Sequence, residues 1–207
     1  MQIKHIYFLL LFALGSLLNA QEIQQLQLPK SQDYKNFQEE MLPFKKDSKW
    51  GFYNNKLQVI INNIYDNVSG FKEGYSCFKL EGKWGVINTR GAVVIKNQFD
   101  SIAPFNLGHA VMTLGGKKGI IDSRGRTMID AQYSELKICD NGLIMAINQD
   151  GKIGFIDFYN TTRIKFQFDE SLGFFGEYAP VKKGQLWGII SRNGRLIIDY
   201  SFLEVTG

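Results

Sequence analysis

Histidine and cysteine are scarce in this chain of 207 residues, which carries two of each. Only His109 lies beyond the amino-terminal apolar run, so a histidine-based metal cage is excluded and acid–base chemistry has one imidazole to draw on. Long hydrophobic runs are missing after the first twenty residues, and no dense Asp-Gly pattern of a calcium loop occurs. Charge of one sign is missing too: 24 Lys and Arg stand against 20 Asp and Glu. A net +4, with no basic stripe interleaved with aromatics, argues against a nucleic-acid partner. What remains is an ordinary globular composition, 44% apolar and 21% charged, which argues against disorder over most of the chain.

The amino terminus differs from the rest. Lys4 precedes the thirteen-residue apolar run Ile6 to Leu18, and Leu18-Asn19-Ala20 offers a small residue before Gln21. This reads as a secretory signal peptide over residues 1–20, because a membrane-spanning helix needs about 20 apolar residues. No cysteine follows to carry a lipid, and removal of the segment leaves 23 basic and 20 acidic residues with no membrane span. Export to the periplasm, cell surface or medium is the expectation. Residues 21–30 are polar and Gln-rich and read as a linker.

From residue 31 onwards the chain repeats itself. Gly51, Gly85, Gly119, Gly154 and Gly188 set a register with spacings of 34, 34, 35 and 34 residues, the mark of a repeat architecture. Ten residues after each glycine stands Ile61, Ile95, Ile129, Ile164 or Ile198, and four further on Tyr65, Phe99, Tyr133, Phe168 or Phe202. Six residues beyond those come Phe71, Phe105, Cys139 and Phe174. These recurring positions are the expected core.

Short runs such as Val86-Ile87 and Ile120-Ile121 have strand character, and each ends in a turn-starting residue, among them Asn88, Asp122, Asp157 and Ser191. Gly91, Gly125, Asn160 and Gly194 stand where a left-handed residue would form a G1 bulge. Leu57 breaks that rule, so a tighter turn at Asn54-Asn55 is expected in the first copy. With a lead strand such as Tyr75 to Leu80 upstream, one repeat is expected as three short antiparallel strands, since 34 residues are cramped for four strands of about five or six residues. Ser31 to Met41 could be helical, but Phe37 precedes Gly51 by the same fourteen residues as Phe71 precedes Gly85, which favours a degenerate repeat end.

Lys49-Trp50-Gly51, Lys83-Trp84-Gly85 and Leu186-Trp187-Gly188, with the turn glycines and the trailing Ile and Phe-Asp, resemble the bacterial WG-repeat family over residues 31–207. The resemblance implies an all-β tandem array of five antiparallel repeats, common in exported proteins, with no single activity and no catalytic residue to carry over. The array could close into a propeller-like ring or stay open and twisted. Lys118 and Ile153 replace the tryptophan in two copies while the glycine stays, which places the tryptophan at a rim and makes the glycine the stricter demand, through a positive φ or a close backbone contact.

Candidate sites are few. His109 stands where Met41, Tyr75, Ile144 and Tyr178 stand in other copies, as an ordinary strand residue would. Cys77 and Cys139 occupy apolar repeat positions and read as buried free thiols, because a disulfide would require close α-carbons. Asp66, Asp100 and Asp169 could bind calcium or a sugar at one rim, but turn-forming carboxylates are the simpler reading. Lys45-Lys46 and Lys182-Lys183 match in register and could favour an anionic glycan, or mark a solvated strand end. The composition thus points to a non-catalytic protein without cofactor or metal, presenting a surface to a protein or cell-envelope partner. The alternative is a glycan-binding module using Trp50, Trp84 and Trp187, and a hydrolase built on His109 comes third.

Overall fold

The computed structural model describes residues 41–204, all of whose regular structure is β. The expected signal peptide, the linker and the segment 31–40 lie outside the described residues. Five small antiparallel sheets follow one another along the chain. The first holds β1 (Leu42–Lys46), β2 (Lys49–Tyr53) and β3 (Val59–Tyr65); the second holds β4 (Asn67–Val68), β5 (Tyr75–Leu80), β6 (Lys83–Asn88) and β7 (Val93–Phe99). The third is built from β8 (Ser101–Ile102), β9 (His109–Leu114), β10 (Lys117–Asp122) and β11 (Thr127–Tyr133). The fourth contains β12 (Glu135–Ile138), β13 (Ile144–Ile147), β14 (Ile153–Ile156) and β15 (Thr162–Phe168). The fifth contains β16 (Glu170–Ser171), β17 (Tyr178–Lys183), β18 (Leu186–Ser191) and β19 (Leu196–Phe202). The chain divides into two compact units, with the boundary after Asn97 inside β7.

Four sheets therefore hold a strand more than the three expected from the repeat length. The extra strand fits because it is only two residues long in β4, β8 and β16 and four in β12. It uses the chain already needed to cross from one sheet to the next. Asp66 N–H donates to Lys79 O at 2.9 Å and Ser69 N–H to Cys77 O at 2.8 Å, which satisfies backbone groups on both sides of β4.

The register glycines owe their place to contact and not to backbone angle, since none of them has a positive φ. Trp50 faces Tyr65 and Phe52 faces Ile61, so Gly51 alone stands opposite Asn62, Asn63 and Ile64. The same wide bulge recurs between β10 and β11, β14 and β15, and β18 and β19. The bulged strand folds down onto the glycine: a Cβ on Gly51 would lie 2.5 Å from Ile61 O, and one on Gly119 2.5 Å from Ile129 O.

The turns that lead into the last strand of each sheet follow one plan. Asp122 Oδ1 accepts from the amides of Arg124 at 2.9 Å and Arg126 at 2.8 Å, while Gly125 N–H donates to Asp122 O at 3.0 Å. Gly125 has φ of 81°. The first copy does not form the tighter turn expected from its sequence. Asn54 Oδ1 accepts from Lys56 and Gln58, Leu57 N–H donates to Asn54 O at 3.0 Å, and Leu57 sits at φ of 59°. The side-chain network of Asn54 holds the shared turn against a left-handed leucine, which costs roughly 1–2 kcal/mol. Leu57→Gly is therefore expected to raise stability by about 0.5–1 kcal/mol after glycine's greater unfolded-state entropy is deducted. A lower urea midpoint for that variant would show that the leucine side chain packs more favourably than the strain costs.

Core formation runs between consecutive sheets. In the first unit Phe52, Ile61 and Tyr65 of the first sheet pack with Phe71, Phe78 and Ile87 of the second repeat. In the second unit Ile120 and Ile129 pack with Leu136, Ile144, Ala146 and Ile156. There too Phe155, Ile164 and Phe168 pack with Phe174, Ala179, Val181 and Ile190. Phe52 meets Phe71 edge to face at 4.8 Å and 70°, and Phe155 meets Phe174 at 4.8 Å and 68°, so even the ring geometry repeats. Within each unit, the trailing face of a sheet, carrying the recurring Ile and aromatic, is covered by the leading face of the sheet that follows it.

Candidate functional site

Trp50 and Trp84 are half-buried, whereas Trp187 is only 7% exposed. They lie on the register-equivalent strands β2, β6 and β18: Trp50 is flanked by Lys45 and Tyr65, Trp187 by Lys182 and Phe202. Lys45 Nζ lies 5.8 Å over the Trp50 ring centroid and Lys182 Nζ 5.8 Å over that of Trp187, so these lysines cover indole faces. Lys182 also bonds Glu170 at 2.7 Å. At the tryptophan position of the third sheet Lys118 sends its ammonium to Glu135 Oε1 at 2.5 Å, and at that of the fourth Ile153 is buried. The position accepts any long or bulky stem that seals the end of the core.

The carboxylates after the recurring aromatic, for which the sequence offered a calcium- or sugar-binding rim or, more simply, turn formation, form a clamp. Asp66 takes Lys49 Nζ of its own repeat at 2.5 Å and the Glu81 amide of the next repeat's hairpin at 3.0 Å. Asp169 does the same with Lys152 at 2.5 Å and the Gly184 amide at 2.6 Å, and Asp100 accepts from the Gly115 amide at 2.8 Å. The signal available in the sequence was the recurring separation of seventeen residues between the lysine and its acid, seen at Lys49–Asp66, Lys118–Glu135 and Lys152–Asp169. The ammonium of Lys49 holds the Asp66 carboxyl below the usual carboxylate range, and Lys152 does so for Asp169, each helped by the hairpin amide. Asp122 is nearly enclosed: burial pushes its carboxyl up, and the Arg126 and Arg124 contacts outweigh it to leave the group depressed.

His109 donates from Nδ1 to Leu107 O at 2.7 Å and stacks on Phe158 at 3.9 Å, where it serves as a flat packing group in β9. Cys77 and Cys139 are both free and buried. Burial pushes the Cys77 thiol up to about 12 and raises that of Cys139, which keeps both as neutral thiols at physiological pH. Among the described residues no cluster of three or more His, Cys, Asp or Glu could hold a metal, and no helix is long and apolar enough to cross a membrane.

Solved structures similar to this chain include the computationally designed Ika8 protein, at 12% identity, with 78% of this chain and 58% of that one covered and a TM-score of 0.47. BamB from Moraxella catarrhalis matches at 12% identity over 77% of this chain and 57% of its own, with a TM-score of 0.43. A eukaryotic initiation factor matches at 10% identity over 77% and 52%, with a TM-score of 0.50. The structural neighbours are β-propellers, and this chain spans less than two thirds of the length of each of these three. No curated protein matches. A family model described as WG containing repeat matches residues 50–84, 84–117 and 153–187. Each matched segment starts at a tryptophan position and ends at the next one or one residue short of it, in step with the glycine register and the bulge that closes over it. The chain is a WG-repeat protein.

Proposed function

We propose that this chain is an exported, non-catalytic repeat protein whose sheets serve as a binding or scaffolding surface for a protein or cell-envelope partner. The observation that carries this reading is on the outer strands of the first two sheets. Val59, Ile60 and Ile64 on β3 are 48%, 44% and 54% exposed, and Val93 on β7 is 54% exposed. At the positions of Val59, Ile60 and Ile64 the fourth sheet carries Thr162, Arg163 and Gln167, so the repeat itself does not ask for aliphatic groups there. Exposed aliphatic side chains on a strand edge favour a partner that covers them. The groups with chemistry to offer support the same reading, since Asp66, Asp122, Asp169 and His109 are committed to holding turns and strands. The apolar run Ile6 to Leu18 supports export.

The test is cross-linking of the full chain in fractionated envelopes, beside a variant with Val59→Thr, Ile60→Arg and Ile64→Gln. A discrete cross-linked partner is expected for the parent chain, reduced about tenfold in the variant, an affinity change of about 1.4 kcal/mol. Equal recovery of that partner by both chains, or no partner for the parent, would remove the proposal.

A further inference from the structure

Among the described residues each sheet ends in one outer strand, β3, β7, β11, β15 or β19. An edge strand presents a row of backbone N–H and C=O groups with which another extended chain can pair, and a charged side chain on that strand opposes the pairing. Four of the five edges carry such a charge directly after the recurring isoleucine, at Lys96, Asp130, Lys165 and Asp199, and all four side chains are exposed. β3 differs. It has Asn62 at that position, also exposed, and its sequence Val59-Ile60-Ile61-Asn62-Asn63-Ile64-Tyr65 holds no charge and no proline.

The uncharged edge is also the one with the exposed aliphatic groups Val59, Ile60 and Ile64. Asn62 stands between Ile60 and Ile64 in the alternation of the strand, so the missing charge and the aliphatic groups belong to one stretch. The backbone row selects the shape of an occupant, because an extended chain offers donors and acceptors at the matching spacing whereas a helix spends its own internally. The side chains select its chemistry. A charge set opposite Ile60 or Ile64 would lose water without gaining a partner, and an aliphatic group would not.

We infer that β3 accepts an extended, uncharged, aliphatic segment of a protein partner as an added strand of the first sheet. This rests on the functional reading above, whose surface it shares, and it assigns the mode of recognition: main-chain hydrogen bonds supply attraction and alternate side chains supply selectivity. The charges at Lys96, Asp130, Lys165 and Asp199 turn the same segment away from the other edges.

Hydrogen exchange of the full chain, with and without a capped peptide of alternating valine and threonine as long as β3, tests this. A control peptide is N-methylated at two adjacent central residues, which removes a donor from each of its edges and keeps its side chains. Exchange in β3 is expected to slow at least about tenfold with the first peptide and to stay unchanged with the second, while β7, β11, β15 and β19 keep their rates. Asn62→Lys brings to β3 the residue type that Lys96 and Lys165 place there in other repeats, so the circular dichroism spectrum should not change, and peptide binding should weaken about tenfold or more. Equal slowing by both peptides, equal slowing at the charged edges, an Asn62→Lys chain that binds as the parent does, or no slowing at all would each overturn the inference. Exchange in β3 that slows with the concentration of the chain alone would make a second copy the occupant and overturn it as well. The functional reading is decided separately by the envelope cross-linking, where a partner lost with Val59→Thr, Ile60→Arg and Ile64→Gln upholds that reading even if the peptide fails.

Discussion

Gly51→Ala is expected to destabilise the first unit by about 3 kcal/mol or more, although it adds a single methyl group. The new Cβ would meet Ile61 O at 2.5 Å, Asn63 N at 2.7 Å and Asn62 C at 2.8 Å, all of them backbone. No side-chain rotation can relieve such a contact, so the bulge of β3 must lift off β2 and the pairing of Trp50 with Tyr65 and Phe52 with Ile61 must loosen. Gly188→Ala makes a graded comparison. Its Cβ would meet Ile198 O at 2.8 Å but the next nearest atoms only at 3.1 and 3.3 Å, so a smaller loss is expected. Gly74→Ala completes the series, because nothing lies within 4 Å and only its φ of 82° opposes a side chain, at a cost of about 1 kcal/mol. Urea midpoints should rank Gly51→Ala lowest. An alanine at 51 that costs no more than one at 74 would mean that the bulge is soft and that the glycine register has another cause.

Phe155→Ala is expected to cost roughly 3–5 kcal/mol, the range for deleting an enclosed phenylalanine. Phe155 is 0% exposed on β14, sits edge to face with Phe174, and belongs to the cluster that joins the fourth sheet to the fifth. The loss should therefore be felt beyond its own sheet. Hydrogen exchange is expected to speed up for amides of β17 and β18 as well as β14, because the covering sheet loses the surface it packs on. Tyr159→Ala, at a side chain 84% exposed, should stay within about 0.5 kcal/mol of the parent. Exchange faster in β14 alone would indicate that each sheet of this unit holds its structure independently of its neighbour.

The first prediction, and the Phe174 partner in the second, rest on positions that a single sequence revealed because it contains its own comparison. Gly51, Ile61 and Phe71 recur in step, and all three proved to be structural: the glycine under a bulge, the isoleucine and phenylalanine in one cluster. The candidate binding residues were less legible. Trp50, Trp84 and Trp187 share a sequence position but not an environment, since Trp187 is enclosed while the other two are half-exposed. The clamp at Asp66 and Asp169 escaped a reading that moved along one repeat at a time. Each acid bonds a lysine seventeen residues before it and an amide fifteen residues after it, and so belongs to two repeats.

The amino-acid sequence alone determined the all-β class, the period of about 34 residues and the core positions of the first four repeats, though not those of the fifth, where Ile198 and Phe202 are exposed, because hydrophobic alternation and turn chemistry act over a few residues and the repeat copies them. Tertiary structure alone decided between positive φ and close contact at Gly51, put Leu57 into the left-handed turn, and inserted the two-residue strands β4, β8 and β16. It also left Ile198 and Phe202 exposed where Ile164 and Phe168, their counterparts in the fourth sheet, are buried. These outcomes depend on which backbone atoms meet across strands and which face the next sheet covers. Such distances are fixed only once the sheets have formed and packed, and no local pattern of residues encodes them.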